Sequence, residues 1–158
     1  MMQIKITSAV GSGPTPLAAF DAALRSAGIE NYNLIPLSSV IPTAARLERS
    51  RYSSPPSEYG HRLYVVMARH ETSEIGEEAW AGLGWTQEPE SGRGLFVELH
   101  GSSREAVERA IESTLDAMKE ARPYDYGKNE SEVVGIVCEG EPVCALAVAV
   151  YAATPWGP

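Results

Sequence analysis

The chain has 158 residues, 44% of them hydrophobic, and a net charge of −8. That length carries one domain, residues 1–158, with a sizeable core and no need of disulfide staples. The negative balance argues against a nucleic-acid binder and suits a cationic small molecule, and no apolar run approaches the ~20 residues of a membrane span. The opening MMQIKITSAVGSG lacks the basic start and long apolar centre of a signal peptide, so a cytoplasmic protein is expected.

Residues 3–9 (QIKITSA) alternate as a short strand, which Gly11-Ser12-Gly13 is expected to break. The glycines show neither GK[ST] nor GxGxxG, which makes a nucleotide site improbable. Thr15 as N-cap, Pro16 at the first helical position and Gly28 as the stop bound a helix. Its apolar stripe is Leu17, Phe20 and Leu24, with Asp21 at the stripe's edge. In NYNLIPLSSVIP (Asn31–Pro42), Leu34, Ile35 and Leu37 form a strand that Pro36 confines to a sheet edge. Ser38-Ser39 then falls where extended chain gives way to a loop. Residues 43–60, rich in Arg, Ser and Pro, read as the longest irregular and mobile region.

His61–Arg69 predicts a central strand, and Thr72 or Ser73 to about Leu83 a short helix with Glu74, Glu77 and Glu78 in its first turns. Trp85–Gln87 and Gly94–His100 predict strands. Ser102 with Glu105 reads as a capping box opening the longest helix, to about Arg122, striped by Val107, Ile111, Leu115 and Met118. Glu132–Val137 and Val143–Tyr151 close the chain as a hairpin, followed by an irregular tail. Cys138 and Cys144 flank the hairpin turn and are expected buried and reduced. His61, His70 and His100 are scattered without ligand spacing, so no metal is expected. The pattern as a whole predicts an α+β domain.

The run from Gly11 to Pro42 resembles the pyruvoyl-dependent arginine decarboxylases. The resemblance rests on the Gly/Ser turn, TPL-x-AFD-x-AL from Thr15, AGI-x-N-x-NLI from Ala27, and the SSVIP ending. GLFVELHG (Gly94–Gly101) resembles the family's strand bearing an essential glutamate. The resemblance implies an αββα sandwich assembled as a homotrimer. It also implies a self-made pyruvoyl cofactor from Ser39, with neither pyridoxal phosphate nor a metal.

In the family's chemistry the Ser39 hydroxyl attacks the Ser38 carbonyl and an ester replaces the peptide bond. β-Elimination frees the Ser38 carboxyl, and hydrolysis of the remaining dehydroalanine with loss of ammonia leaves a pyruvoyl group heading residues 39–158. Residues 1–38 form the other fragment. By the same resemblance Glu98 is the proton donor in the decarboxylation of L-arginine to agmatine. A carboxylate amid Leu95, Phe96, Val97 and Leu99 is expected buried, with a raised pKa, and His100 on its face could pair with it. Asp21 matches the residue receiving the substrate guanidinium, although Arg25 four residues on offers it a helical ion pair. Asn33 matches an asparagine beside the reactive centre.

The acidic turn that precedes the family's TPL helix is reduced here to Gly11-Ser12-Gly13-Pro14, a departure that bears on substrate selectivity. Two other readings remain open at this point. The same chemistry could act on another amino acid, or an unprocessed homologue could serve as a binding or assembly protein.

Overall fold

The structure, a computed structural model, describes residues 2–158. The first strand, β1 (Gln3–Ser12), does not break at Gly11, because Gly11 and Ser12 stay in register with Cys144 and Val143. Glycine is required there for space: a Cβ at Gly11 would collide with the backbone of Ala23 on the helix above. That helix, α1 (Pro16–Ala27), has the expected ends. Thr15 Oγ1 accepts the Ala18 N–H at 3.1 Å, and Gly28 closes the C-terminus at φ 83°. Of the expected stripe, Leu24 is buried and Phe20 packs against the same cluster, but Leu17 is not part of it. Ala19, Ala23, Leu24 and Ala27 face the sheet while Leu17 is 75% exposed. The alanines let the helix lie close to its sheet.

Strand β2 (Asn33–Pro36) runs parallel to β5 (Arg62–Thr72) at a sheet edge, as Pro36 demands. Then come the two-residue β3 (Val40–Ile41), β4 (Arg46–Arg49), and a short 3-10 turn at Pro56–Glu58. The expected irregular region 43–60 is therefore partly regular: β4 pairs with β1. Glu58 anchors the rest by accepting from Tyr32 OH at 2.5 Å and Tyr52 OH at 3.1 Å.

The expected helix from residue 72 is absent. The segment is β6 (Glu78–Gln87), antiparallel to both β7 (Gly94–Gly101) and β8 (Glu130–Val137). Its period is two: Ala79, Ala81, Leu83 and Trp85 face one way, and Trp80, Gly82 and Gly84 the other. A Cβ at Gly84 would strike Ile111, so the bare glycines of β6 serve as a seat for α2 (Arg104–Glu120). Helix α2 is capped by Ser103, one residue later than expected, and buries Val107, Ile111 and Leu115.

The final strand, β9 (Val143–Thr154), does not form a hairpin with β8. It pairs with β1 and β5, whereas β8 lies in the other sheet. The turn between them carries the chain from one sheet to the other. Cys138 and Cys144 are both free and buried, in different hydrophobic clusters.

The strands form a five-stranded sheet, β2-β5-β9-β1-β4, and a four-stranded sheet, β3-β7-β6-β8. Between them lies a core that includes Ile4, Ile6, Val66, Trp85, Phe96 and Ala147. Helix α1 covers the outer face of the larger sheet, over Leu63, Val65, Leu146 and Val148. Helix α2 covers the outer face of the smaller one, over Leu95 and Val97. No helix among the described residues is long and apolar enough to cross a membrane.

Candidate active site

The serine pair lies in the link between the two sheets. β2 belongs to the larger sheet and β3 to the smaller, so Leu37–Ser39 must cross the roughly 10 Å that separates packed sheets. The Leu37 N–H still donates to Val65 O at 2.8 Å, on the larger sheet. Two residues later the Ser39 carbonyl accepts from the Phe96 N–H at 2.8 Å, on the smaller one. The peptide bond between Ser38 and Ser39 is held from both sides.

Ser39 has φ 78°, a left-handed conformation that costs a non-glycine residue on the order of 1 kcal/mol or more. Its side chain is only 7% exposed, and Oγ donates to Glu98 Oε2 at 2.6 Å. A strained backbone, a buried hydroxyl and a carboxylate acceptor thus meet at one residue. Alternation along β7 puts Phe96, Glu98 and His100 on the face toward the other sheet. Phe96 fills the core, but Glu98 reaches the rim and is exposed. The expected burial of Glu98 is not met within one chain, because β7 is flanked on that side only at Gly94 and Leu95, by β3.

Tyr151, given no role in the sequence reading, borders Glu98. Tyr151 OH donates to Val40 O at 2.9 Å. Burial first, and the Glu98 carboxylate second, push this phenol well above the usual tyrosine range. Beyond Glu98, His100 pairs with His70 of β5: the two Nδ1 atoms are 3.1 Å apart and the rings stack with centroids at 5.0 Å. Burial, then the neighbouring His100, lower the pKa of His70, with Glu71 and Glu77 opposing. The expected pairing of His100 with Glu98 is replaced by this histidine pair.

Asp21 and Asn33 lie elsewhere. Asp21 is on the exposed face of α1, outside the larger sheet, where its Oδ2 meets Arg25 Nε at 3.2 Å. The Asn33 Nδ2 donates to Gly60 O at 2.8 Å, and its backbone N–H to His61 O at 2.9 Å. Ser38, Ser39 and Glu98 come together in one chain, whereas Asp21 and Asn33 do not join them. No sequence signal pointed to Tyr151, which looked like the end of the apolar run VCALAVAVY.

Fold and site together define a class: a two-sheet α+β protein in which a buried serine at a left-handed bend between the sheets is hydrogen-bonded to a strand carboxylate. Residues 3–155 match the family model described as pyruvoyl-dependent arginine decarboxylase. A protein of Halobacterium salinarum named pyruvoyl-dependent arginine decarboxylase is 34% identical over 96% of this chain and 94% of its own length. One from Thermococcus kodakarensis bearing the same name is 32% identical over 92% of this chain and 91% of its own. Pyruvoyl-dependent arginine decarboxylase 2 of Archaeoglobus fulgidus is 28% identical, covering 94% and 95%. This chain belongs to the pyruvoyl-dependent arginine decarboxylase family.

Proposed function

We propose that the chain cuts itself between Ser38 and Ser39, and that the processed protein decarboxylates L-arginine to agmatine. The observation that carries this reading is the 2.6 Å hydrogen bond from Ser39 Oγ to Glu98 at a left-handed bend crossing between two sheets. The carboxylate can take the hydroxyl proton as Oγ attacks the Ser38 carbonyl, and the bend supplies strain that cleavage relieves. Glu98 therefore acts in cleavage as well as in turnover, which widens the single role expected from the sequence.

The residues present suit a pyruvoyl group at position 39. The Phe96 N–H fixes the carbonyl of residue 39, and Glu98 stands beside the Ser39 Oγ that departs with the Ser38 carboxyl. Such a group supplies a ketone that condenses with a substrate amine and an adjoining carbonyl that accepts electrons as carbon dioxide leaves. Glu98 then serves as the acid that returns a proton to the reacting carbon.

Asp21 receives the guanidinium and Asn33 lies beside the reactive centre only if each is supplied by a neighbouring copy. In one chain α1 and the Ser39 cleft are on opposite sides of the larger sheet. A homotrimer of processed chains answers this requirement. In support, β7 has an unflanked edge after Leu95, Leu17 and Val40 are exposed, and Glu98 lacks cover on the rim. Two free thiols suit a cytoplasmic protein.

Intact-mass measurement of purified protein, with agmatine release from arginine, tests the reading. Two fragments dividing at Ser38–Ser39 and agmatine formation are expected. A single uncut chain that releases no agmatine defeats it.

A further inference from the structure

Cleavage changes what holds residue 39. In the intact chain Ser39 is tethered through Ser38 to Leu37, whose N–H is bonded to Val65. Once the 38–39 bond is cut, that tether belongs to the other fragment. The new terminus is then secured by the Phe96 N–H and by a strand, β3, only two residues long. Such a strand is marginal alone. The Ser39–Phe96 bond brackets the Val40–Leu95 pair, so the N–H and C=O of Val40 point to the far side, away from β7. On that side the Val40 carbonyl is met by Tyr151 OH at 2.9 Å, reaching over from the other sheet.

Tyr151 lies at an irregularity in β9. The register passes from Tyr64↔Ala152 to Val65↔Val150, leaving Tyr151 as the extra, unpaired residue of a β-bulge. Bulges re-aim side chains and recur beside active sites. Alternation along β9 carries Ala149 and Tyr151 to the layer between the sheets and Val150 toward α1, and past the bulge Ala153 also packs toward α1. Phe96 flanks the tyrosine ring at 6.2 Å between centroids. The phenol is held protonated by burial and by Glu98, so it stays a donor across the working pH range.

We infer that Tyr151 is a positioning residue that holds the newly formed terminus, through Val40, in register with Glu98 after the chain is cut. This rests on the self-cleavage proposed above. Before cleavage the tether through Leu37 makes the tyrosine redundant; afterwards it does not.

The contrast gives the test. Tyr151→Phe removes only the hydroxyl and is made in the wild-type chain and in the uncut Ser39→Ala chain. Cleavage of the first should run to completion by intact mass. Amide hydrogen exchange at Phe96, read from the 94–99 segment, should rise about tenfold in the processed Tyr151→Phe protein and stay within about twofold in the uncut background. The turnover number for arginine should fall about tenfold with KM within about twofold. Equal exchange changes in both backgrounds would show a merely structural tyrosine and overturn the inference. So would a Tyr151→Phe chain that fails to cut while remaining folded, or a processed variant with unchanged exchange. A wild-type chain that never cuts overturns the self-cleavage reading as well, so the two failures are told apart by wild-type mass alone.

Discussion

Ser39 Oγ and Glu98 Oε2, 59 residues apart in sequence, are joined by a 2.6 Å hydrogen bond in which the hydroxyl donates. The serine enters from the link between sheets and the glutamate from the middle of β7, and the contact is made because β3 pairs beside β7 in the smaller sheet. Its direction matters chemically. A carboxylate that accepts the hydroxyl proton sharpens the oxygen for attack on the neighbouring carbonyl.

Ser39→Ala deletes the attacking atom and leaves the packing nearly unchanged, since alanine lacks only one oxygen. The protein should fold, stay at full length by intact mass, and produce no agmatine. Two fragments from this variant would remove Ser39 from the cleavage step.

Glu98→Gln keeps the side-chain shape but can no longer take or return a proton. Both cleavage and turnover should slow, each by roughly 10²- to 10⁴-fold, the usual worth of a general acid or base. A time course of intact mass gives the first rate, and single-turnover decarboxylation of the cleaved fraction the second. Wild-type cleavage with lost turnover would confine Glu98 to proton donation, and wild-type values for both would exclude it.

Asp21→Asn tests guanidinium recognition against the visible ion pair with Arg25. If the carboxylate binds substrate, its loss should raise KM for arginine roughly a hundredfold, while Arg25→Ala changes it little. If Asp21 only pairs along the helix surface, both variants should behave alike, since an exposed i,i+4 pair is worth about 0.3–0.5 kcal/mol. Cleavage should survive in each variant.

The His70–His100 contact predicts a stability that depends on pH. His70 has a lowered pKa in the folded protein, so on acidification the unfolded chain takes up a proton first. The contribution is fully present above the ordinary histidine pKa of about 6.5 and is lost as pH falls below it. The melting temperature should therefore drop between pH 7.5 and pH 5, and drop less steeply in His70→Gln. Parallel curves for the two proteins would show that the pair plays no part.

Local chemistry in the sequence settled those parts of the fold that need no distant partner. Thr15, Pro16 and Gly28 cap α1 because a hydroxyl, a missing N–H and a left-handed glycine act on their immediate neighbours. Pro36 sent β2 to an edge because it cannot donate to a second strand. The long resemblance through Ser38-Ser39 and Glu98 was likewise legible, being a matter of residue order. What stayed hidden was decided by contacts across the layers. The segment from residue 72 to Leu83 read as a helix, because the place of Gly82 and Gly84 in a strand shows only once α2 occupies the space their missing side chains leave. β8 and β9 looked like a hairpin because sequence proximity does not reveal which sheet each strand joins. Glu98 looked buried from its apolar neighbours, yet exposure is fixed by what flanks β7, and only two residues of β3 do. Tyr151 became part of the site because the two sheets stack, which brings a residue of β9 onto the Val40 carbonyl of β3.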